Sequence, residues 1–155
     1  MSGENVFIDR GLSERERVVL EFLLRAALAV VDGDGASVML LDREGKAITM
    51  KGVAGTGENL ESKIGITLKL GERVAGKVAQ TGETIIIVGD VHTYKRFADV
   101  KKYQDIKSGM SAPLKAGNKI LGVVNIKRTE IAEPVGQAEV KLMNALASVA
   151  ARLLS

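Results

Sequence analysis

Cysteine is absent from this chain of 155 residues, and histidine occurs once, as His92. Without cysteine there is no disulfide framework and no thiolate that could act as a nucleophile or hold an iron–sulfur cluster. One histidine cannot make the multi-histidine sites that are typical of zinc and non-haem iron. No serine lies in a strand-to-helix nucleophile elbow, so a Ser-His-Asp site is not indicated. These absences predict a protein without catalytic or metal-ligating residues.

Aromatic residues are also scarce, with two Tyr, three Phe and no Trp, so the core must be aliphatic. No apolar run approaches the roughly 20 residues that span a bilayer. Residues 1–11 form a polar N-terminal segment where a signal peptide would need an apolar stretch. A net charge of +3 is too small to indicate nucleic-acid binding. We therefore expect a cytoplasmic protein with neither a nucleic acid nor a membrane as partner.

Helical patterns lie at the two ends of residues 12–155, which read as a single domain. Ser13 and Glu16 form a capping box, followed by apolar residues at three- and four-residue spacing up to residue 31. This first helix is apolar around much of its circumference, which predicts a sheet on one side and a second partner on another. Pro134 is a typical first residue for the closing helix, which is apolar up to residue 154.

Between these helices, short apolar or β-branched runs bounded by turn residues predict six strands and one brief helix. The strands are expected at 36–41, 46–53, 66–70, 84–88, 108–114 and 119–127, and the helix at 72–80. The first two and the last two strands form hairpins, which favours an antiparallel sheet and an α+β fold.

Five strings in the same order resemble GAF domains, over about residues 12–154. They are residues 36–42, residues 71–83, Asp90 with Arg96 and Phe97, residues 107–114 and residues 122–126. The resemblance, to GAF domains of bacterial or archaeal signalling type, implies a six-stranded antiparallel sheet with the terminal helices on one face. It places a short helix and loops over a ligand pocket on the other face. It also implies a sensory or regulatory module that is frequently dimeric through its terminal helices.

The resemblance leaves the cofactor open. Family members that attach a bilin covalently, or that reduce free methionine sulfoxide, use cysteine, so both roles are excluded here. Haem is disfavoured because His92 is more typical of a surface-loop residue than of an axial ligand. The signature common in cyclic-nucleotide GAF domains is incomplete after Asn125 and Lys127, which makes that ligand less favoured.

Candidate pocket residues follow from the resemblance by position. They are Met50, Arg73, Val74, Asp90, His92, Tyr94, Phe97, Tyr103, Met110 and Ser111. The segment 89–107 interleaves aromatic residues with lysines and Arg96, a combination that suits a planar or anionic small molecule. Alternatively, the aromatic rings anchor this segment to the sheet and its lysines stay in solvent.

Two functions therefore stay open. The leading hypothesis is a sensory module in which a non-covalently bound small molecule biases the pairing of the terminal helices in a homodimer. Its output would lie in a separate or fused signalling effector. The alternative is a ligand-free dimerisation or adaptor module. An enzyme that uses carboxylates alone is disfavoured, because the sequence contains no paired-carboxylate constellation.

Overall fold

The computed structural model describes residues 4–89 and 106–155, which form a sheet with helices on both faces. In chain order, the elements are β1 (Asn5–Ile8), α1 (Glu14–Val31), β2 (Gly35–Leu41), β3 (Ala47–Gly55), a 3-10 helix (Glu61–Lys63), β4 (Thr67–Lys69), α2 (Arg73–Thr81), β5 (Ile85–Val88), β6 (Ser108–Ala116), β7 (Lys119–Arg128) and α3 (Gln137–Leu154). Most of the predicted segment 89–107 lies outside the described residues.

The strands run antiparallel in the order β1-β3-β2-β7-β6-β5, and β4 pairs with the first half of β3. This arrangement confirms the α+β class and the predicted antiparallel sheet, whose six expected strands are joined by a seventh, β1. The two hairpins, β2–β3 and β6–β7, meet in the middle of the sheet, where β2 pairs with β7. Residues that are distant in sequence, such as Ser37 and Asn125, therefore become direct cross-strand neighbours.

The two faces of the sheet carry separate cores. On one face, α1 and α3 cover alternate strand residues that include Val38, Met110 and Val124. On the other face, α2 packs on Met39 and Val123. Because strand side chains alternate between the faces, one strand serves both cores at successive residues. The terminal helices thus share one face, as the resemblance implies, and the short helix covers the other.

Local signals predict both ends of α1. The capping box is confirmed, since Ser13 Oγ accepts from the Glu16 amide at 3.1 Å and Glu16 Oε1 accepts from the Ser13 amide at 2.9 Å. The helix ends at Asp32, whose φ of 56° is left-handed.

The predicted start of α3 at Pro134 is wrong, because the helix begins at Gln137. Two long-range contacts hold the preceding residues. The Glu133 carbonyl accepts a hydrogen bond from Arg128, and Val135 is buried in the helix-side core. These contacts fix the chain before the helix can begin.

Strand β1 was not predicted, since its residues lie in a segment that reads as polar. It pairs with the second half of β3, with Asn5 opposite Gly55 and Ile8 opposite Gly52. An ion pair between Asp9 and Lys51 at 3.0 Å holds the end of this strand. The pKa of Asp9 is lowered, first by the hydrogen bond from the Gly11 amide and then by Lys51.

Among the described residues, no helix is long and apolar enough to cross a membrane.

Candidate functional site

A cavity of about 310 Å³ lies on the face of the sheet that α2 covers. Its walls are mainly aliphatic and come from β2, β3, β4, β5, β7, α2 and the segment around the 3-10 helix. The large apolar side chains that line it include Met39, Met50, Val53, Leu60, Ile66, Leu68, Val74, Ile87 and Ile106. The volume is at the small end of the range for ligand sites, which is roughly 300–1,000 Å³.

A row of polar side chains crosses the sheet at the bottom of this cavity. Ser37 on β2 and Ser111 on β6 both lie opposite Asn125 on β7. Ser111 Oγ donates to Asn125 Oδ1 at 2.6 Å, and Asn125 Nδ2 donates to Ser37 Oγ at 3.2 Å. Ser37 and Asn125 line the cavity, whereas Ser111 is fully buried beside them.

Three cationic side chains, Lys63, Arg73 and Lys127, also line the cavity, one each from the 3-10 helix, α2 and β7. None of the residues that line it within the described part of the chain is acidic. Nor does any carboxylate in residues 4–89 or 106–155 form an ion pair with one of these three. Among the described residues, the cavity therefore combines an apolar wall with positive charges that no carboxylate pairs.

The pKa of Lys63 is lowered, first by partial burial and then by the nearby positive charge of Lys127. Both effects penalise the charged form of Lys63 in the folded protein. The penalty is present at neutral pH, where Lys63 is protonated in the folded and the unfolded chain alike. It is relieved as the pH rises towards 10.5, because the folded protein then releases this proton before the unfolded chain does.

We therefore expect Lys63→Gln to raise the thermal midpoint at pH 7 and low salt by about 1–3 °C. The gain should shrink at pH 10, and also at high salt, which screens the repulsion from Lys127. Thermal unfolding followed by circular dichroism measures both trends. Lys119→Gln, at the exposed first residue of β7, is the matched control and should change little. An equal or lower midpoint for Lys63→Gln would contradict this account of the cavity.

Arg73 enters the cavity from an unusual backbone conformation. It is the first residue of α2, and its φ of 55° lies in the left-handed region that favours glycine. Such a conformation costs about 1 kcal/mol or more for a residue with a Cβ. Gly76, one turn later, allows α2 to approach closely, because a Cβ there would lie 2.7 Å from the Lys69 carbonyl oxygen. The entry of α2 is thus fitted tightly against β4.

The structure brings together three of the residues proposed from the resemblance, since Met50, Arg73 and Val74 all line the cavity. Ser111 lies in the polar row, one hydrogen bond from the lining residue Asn125. Met110 does not belong to this site. It is fully buried on the opposite face, against the terminal helices, because its neighbour Ser111 takes the cavity side of the pleat.

The remaining predicted site residues lie outside the described part of the chain. They are Asp90, His92, Tyr94, Phe97 and Tyr103. The sequence analysis does not predict the four other polar or charged lining residues, namely Ser37, Lys63, Asn125 and Lys127. A signal existed for two of them, because Ser37 and Asn125 are polar residues inside otherwise apolar strand runs.

Metal chemistry has no support in the described residues, where no three His, Cys, Asp or Glu side chains are grouped so that they could hold an ion. The polar side chains that line the cavity in the described residues are one hydroxyl, one amide and three cations.

An antiparallel sheet with both terminal helices on one face and a cavity on the other is the architecture of the GAF fold.

Comparison with known proteins agrees with this class. Residues 13–155 match the family described as the GAF domain. The chain therefore belongs to the GAF domain family. A search of curated protein sequences returns no match.

Several solved structures share the fold at low sequence identity. The GAF domain of a phosphoenolpyruvate-protein phosphotransferase from Coxiella burnetii aligns with a TM-score of 0.74 and 17% identity, over 93% of this chain and 84% of that one. Residues 122 to 287 of a methyl-accepting chemotaxis protein align with a TM-score of 0.73 and 15% identity, over 91% and 88%. A type II free methionine-R-sulfoxide reductase from Thermoplasma acidophilum aligns with a TM-score of 0.67 and 11% identity, over 91% and 95%.

Proposed function

We propose that this GAF domain is a sensory or regulatory module that binds a small molecule non-covalently and couples binding to dimerisation through α1 and α3. The observation that carries the proposal is that the two faces of the sheet present different features. One face holds a cavity with a polar floor, and the other carries two helices with exposed apolar side chains.

Binding rather than catalysis is favoured by the chemistry of the lining. The 155-residue sequence has no cysteine, so a thiol reaction of the kind that a sulfoxide reductase on this fold would need has no nucleophile here. An aliphatic wall with a few convergent polar groups is the usual composition of a ligand pocket. We expect the domain to work in the cytoplasm, with its output in a separate or fused signalling effector.

Coupling between the faces is supported by two adjacent residues of β7. Lys127 lines the cavity, whereas the buried side chain of Arg128 reaches the helix side of the sheet. There Arg128 donates to the Val31 carbonyl at the end of α1, at 3.1 Å, and to the Glu133 carbonyl before α3. A ligand that moves Lys127 thus acts on a strand whose next residue holds both terminal helices. The coupling free energy can be no larger than the difference in ligand affinity between the two helix arrangements.

A neighbouring contact supports the same route. Gly35 lines the cavity on β2, directly after Asp34. Asp34 Oδ2 accepts from the Thr129 amide at 2.7 Å and from Thr129 Oγ1 at 2.8 Å. Asp34, just before β2, is therefore joined to Thr129, just after β7, in the segment that leads into α3.

Dimerisation is supported by where the exposed apolar side chains lie. Five of the large hydrophobic residues that the described structure leaves exposed belong to the terminal helices: Val18, Phe22, Leu142, Val149 and Leu153. The first turn of α1 meets the last turn of α3, since Arg15 Nε donates to the Leu153 carbonyl at 3.1 Å. The two helices thus form one antiparallel pair with an outward apolar stripe. A second copy of the same pair completes a four-helix bundle around a two-fold axis.

The dimer can be tested with Phe22→Glu, because Phe22 is 60% exposed and its replacement does not disturb the core. We expect the dimer dissociation constant, measured by sedimentation equilibrium, to rise about 30-fold or more. Asn118→Glu, in the β6–β7 turn, adds the same charge away from the helices and should leave the constant unchanged. A strictly monomeric wild-type protein at high micromolar concentration would contradict the dimerisation part of the proposal.

Ligand binding is tested separately by native mass spectrometry of the purified protein. A co-purified small molecule that is released on unfolding supports the sensory reading. A protein that dimerises through α1 and α3 without any retained or added ligand would instead support the adaptor alternative.

A further inference from the structure

Every polar side chain that lines the cavity can offer a hydrogen-bond donor towards it. Asn125 uses its Oδ1 to accept from Ser111, so its amide nitrogen is the part with hydrogens left to give. Ser37 Oγ accepts from that amide, and within residues 4–89 and 106–155 no acceptor takes the Ser37 hydroxyl hydrogen. Lys63, Arg73 and Lys127 carry donors and no acceptors.

The electrostatics of the cavity point in the same direction. Two lysines from different elements, Lys63 and Lys127, are close enough to repel each other, and Lys63 is also partly desolvated. The acidic side chains of the described chain take no part in compensating them. Two like charges held together without a counter-charge cost stability, and a bound anion would relieve this cost.

The apolar walls of the cavity limit which kind of anion fits it. Met39, Met50, Val53 and Leu60 present sulfur and methyl groups to a volume of about 310 Å³. A bare inorganic ion would leave this apolar surface in contact with water. An anionic group attached to a compact apolar body satisfies the donors and the wall together.

We propose that the ligand of this domain is a small organic anion whose charged group is held by Lys63 and Lys127, with Arg73 as a third cation, and whose apolar body lies against the aliphatic wall. This inference rests on the proposed ligand-binding function and specifies the chemical class. The Ser37 hydroxyl and the Asn125 amide supply neutral donors from the floor.

The test uses pairs of ligands that differ in charge and hardly in shape. Acetate, butyrate, 4-methylpentanoate and phenylacetate are titrated into the full chain by calorimetry, each beside its neutral amide, and inorganic phosphate is titrated as an anion without an apolar body. We expect at least one carboxylate to bind about tenfold or more tightly than its amide. We expect phosphate to bind more weakly than that carboxylate.

The double variant Lys63→Gln/Lys127→Gln should lose most of this preference, so that acid and amide differ only by what Arg73 alone contributes. Lys119→Gln should keep it, because that lysine is the exposed first residue of β7 and does not line the cavity. The double variant removes a repulsion, so it should be at least as stable as the wild type, and thermal unfolding checks that it is folded.

Two results would overturn the inference and leave the proposed function standing. They are equal affinity for acids and amides in the wild type, and a carboxylate preference that is undiminished in the double variant. Phosphate binding as tight as that of the best carboxylate would overturn the assignment of an apolar body. Absence of binding by the whole panel, together with no co-purified molecule in native mass spectrometry, would overturn both the inference and the ligand-binding function.

Discussion

Arg128→Ala should lower the free energy of unfolding by about 3 kcal/mol. The side chain is only 8% exposed, and neutral oxygens receive its donors. Nε donates to Ser108 Oγ at 2.7 Å, and the two terminal nitrogens donate to the carbonyls of Val31 and Glu133. Removal of the guanidinium leaves these acceptors without a donor at a site where water is excluded. Urea denaturation at a fixed protein concentration measures the loss.

Two further substitutions separate the parts of this effect. Arg128→Met keeps most of the aliphatic volume and removes the donors, so it should retain most of the loss. Arg128→Lys keeps the charge, but an ammonium group cannot reach all three acceptors that the planar guanidinium reaches. We therefore expect a loss of unfolding free energy that is intermediate between zero and that of Arg128→Ala. Arg43→Ala, in the exposed β2–β3 turn, is the control and should stay within about 0.5 kcal/mol. A loss below about 1 kcal/mol for Arg128→Ala would show that these contacts do not hold the helices.

Gly122→Ala is the second substitution with a large expected effect, again about 3 kcal/mol or more. Gly122 lies on β7 between β2 and β6, opposite Leu40 and Leu114. A Cβ at this position would overlap the Met39 carbonyl oxygen and lie 3.0 Å from Leu40 Cα. Both are backbone atoms in the middle of the sheet, so neither can turn aside as a flexible side chain could.

Gly57→Ala is the matched control for this substitution. Its φ is not left-handed, and a Cβ there would meet nothing closer than Leu60 Cδ2 at 3.7 Å, which is an ordinary contact. We expect a change within about 0.5 kcal/mol, or a slight gain from the reduced entropy of the unfolded chain. Equal urea midpoints for the two variants would refute the close approach of β2 and β7.

Local signals in the sequence were accurate because they depend on neighbouring residues. The capping box at Ser13 needs only the backbone within three residues, and the left-handed end at Asp32 needs only the turn itself. The predicted strands from 36–41 to 119–127 agree with the observed ones to within about two residues at most ends. Alternation and turn residues act at the same short range.

The missed features depend on contacts between distant residues. Strand β1 forms because residues 5–8 pair with the edge of β3, and no local sequence pattern predicts that this edge is available. The start of α3 moves from Pro134 to Gln137 because Arg128 holds the Glu133 carbonyl. Likewise, α1 is apolar around much of its circumference, so its pattern does not predict which apolar residues are buried. In the structure Leu20 and Leu24 are buried, whereas Val18 and Phe22 are exposed.

The resemblance to GAF domains predicts some of the residues that line the cavity, and the pairing register of the strands determines the others. Met50, Arg73 and Val74 were predicted and line it, while the pleat of β6 places Met110 on the opposite face. The polar row needed three strands in register before Ser37, Asn125 and Ser111 could meet. Lys63 became notable only through its burial and its proximity to Lys127.

The sequence by itself determined the absences and the fold class. A chain without cysteine has no thiol chemistry in any conformation, and hairpins with amphipathic terminal helices specify an α+β sheet through short-range preferences. The tertiary structure decided which polar groups converge, which lysines repel each other and which helix faces stay apolar at the surface. These properties depend on distances between residues that are far apart in the chain. Those distances are set only when the strands pair in their register and the helices pack on both faces of the sheet.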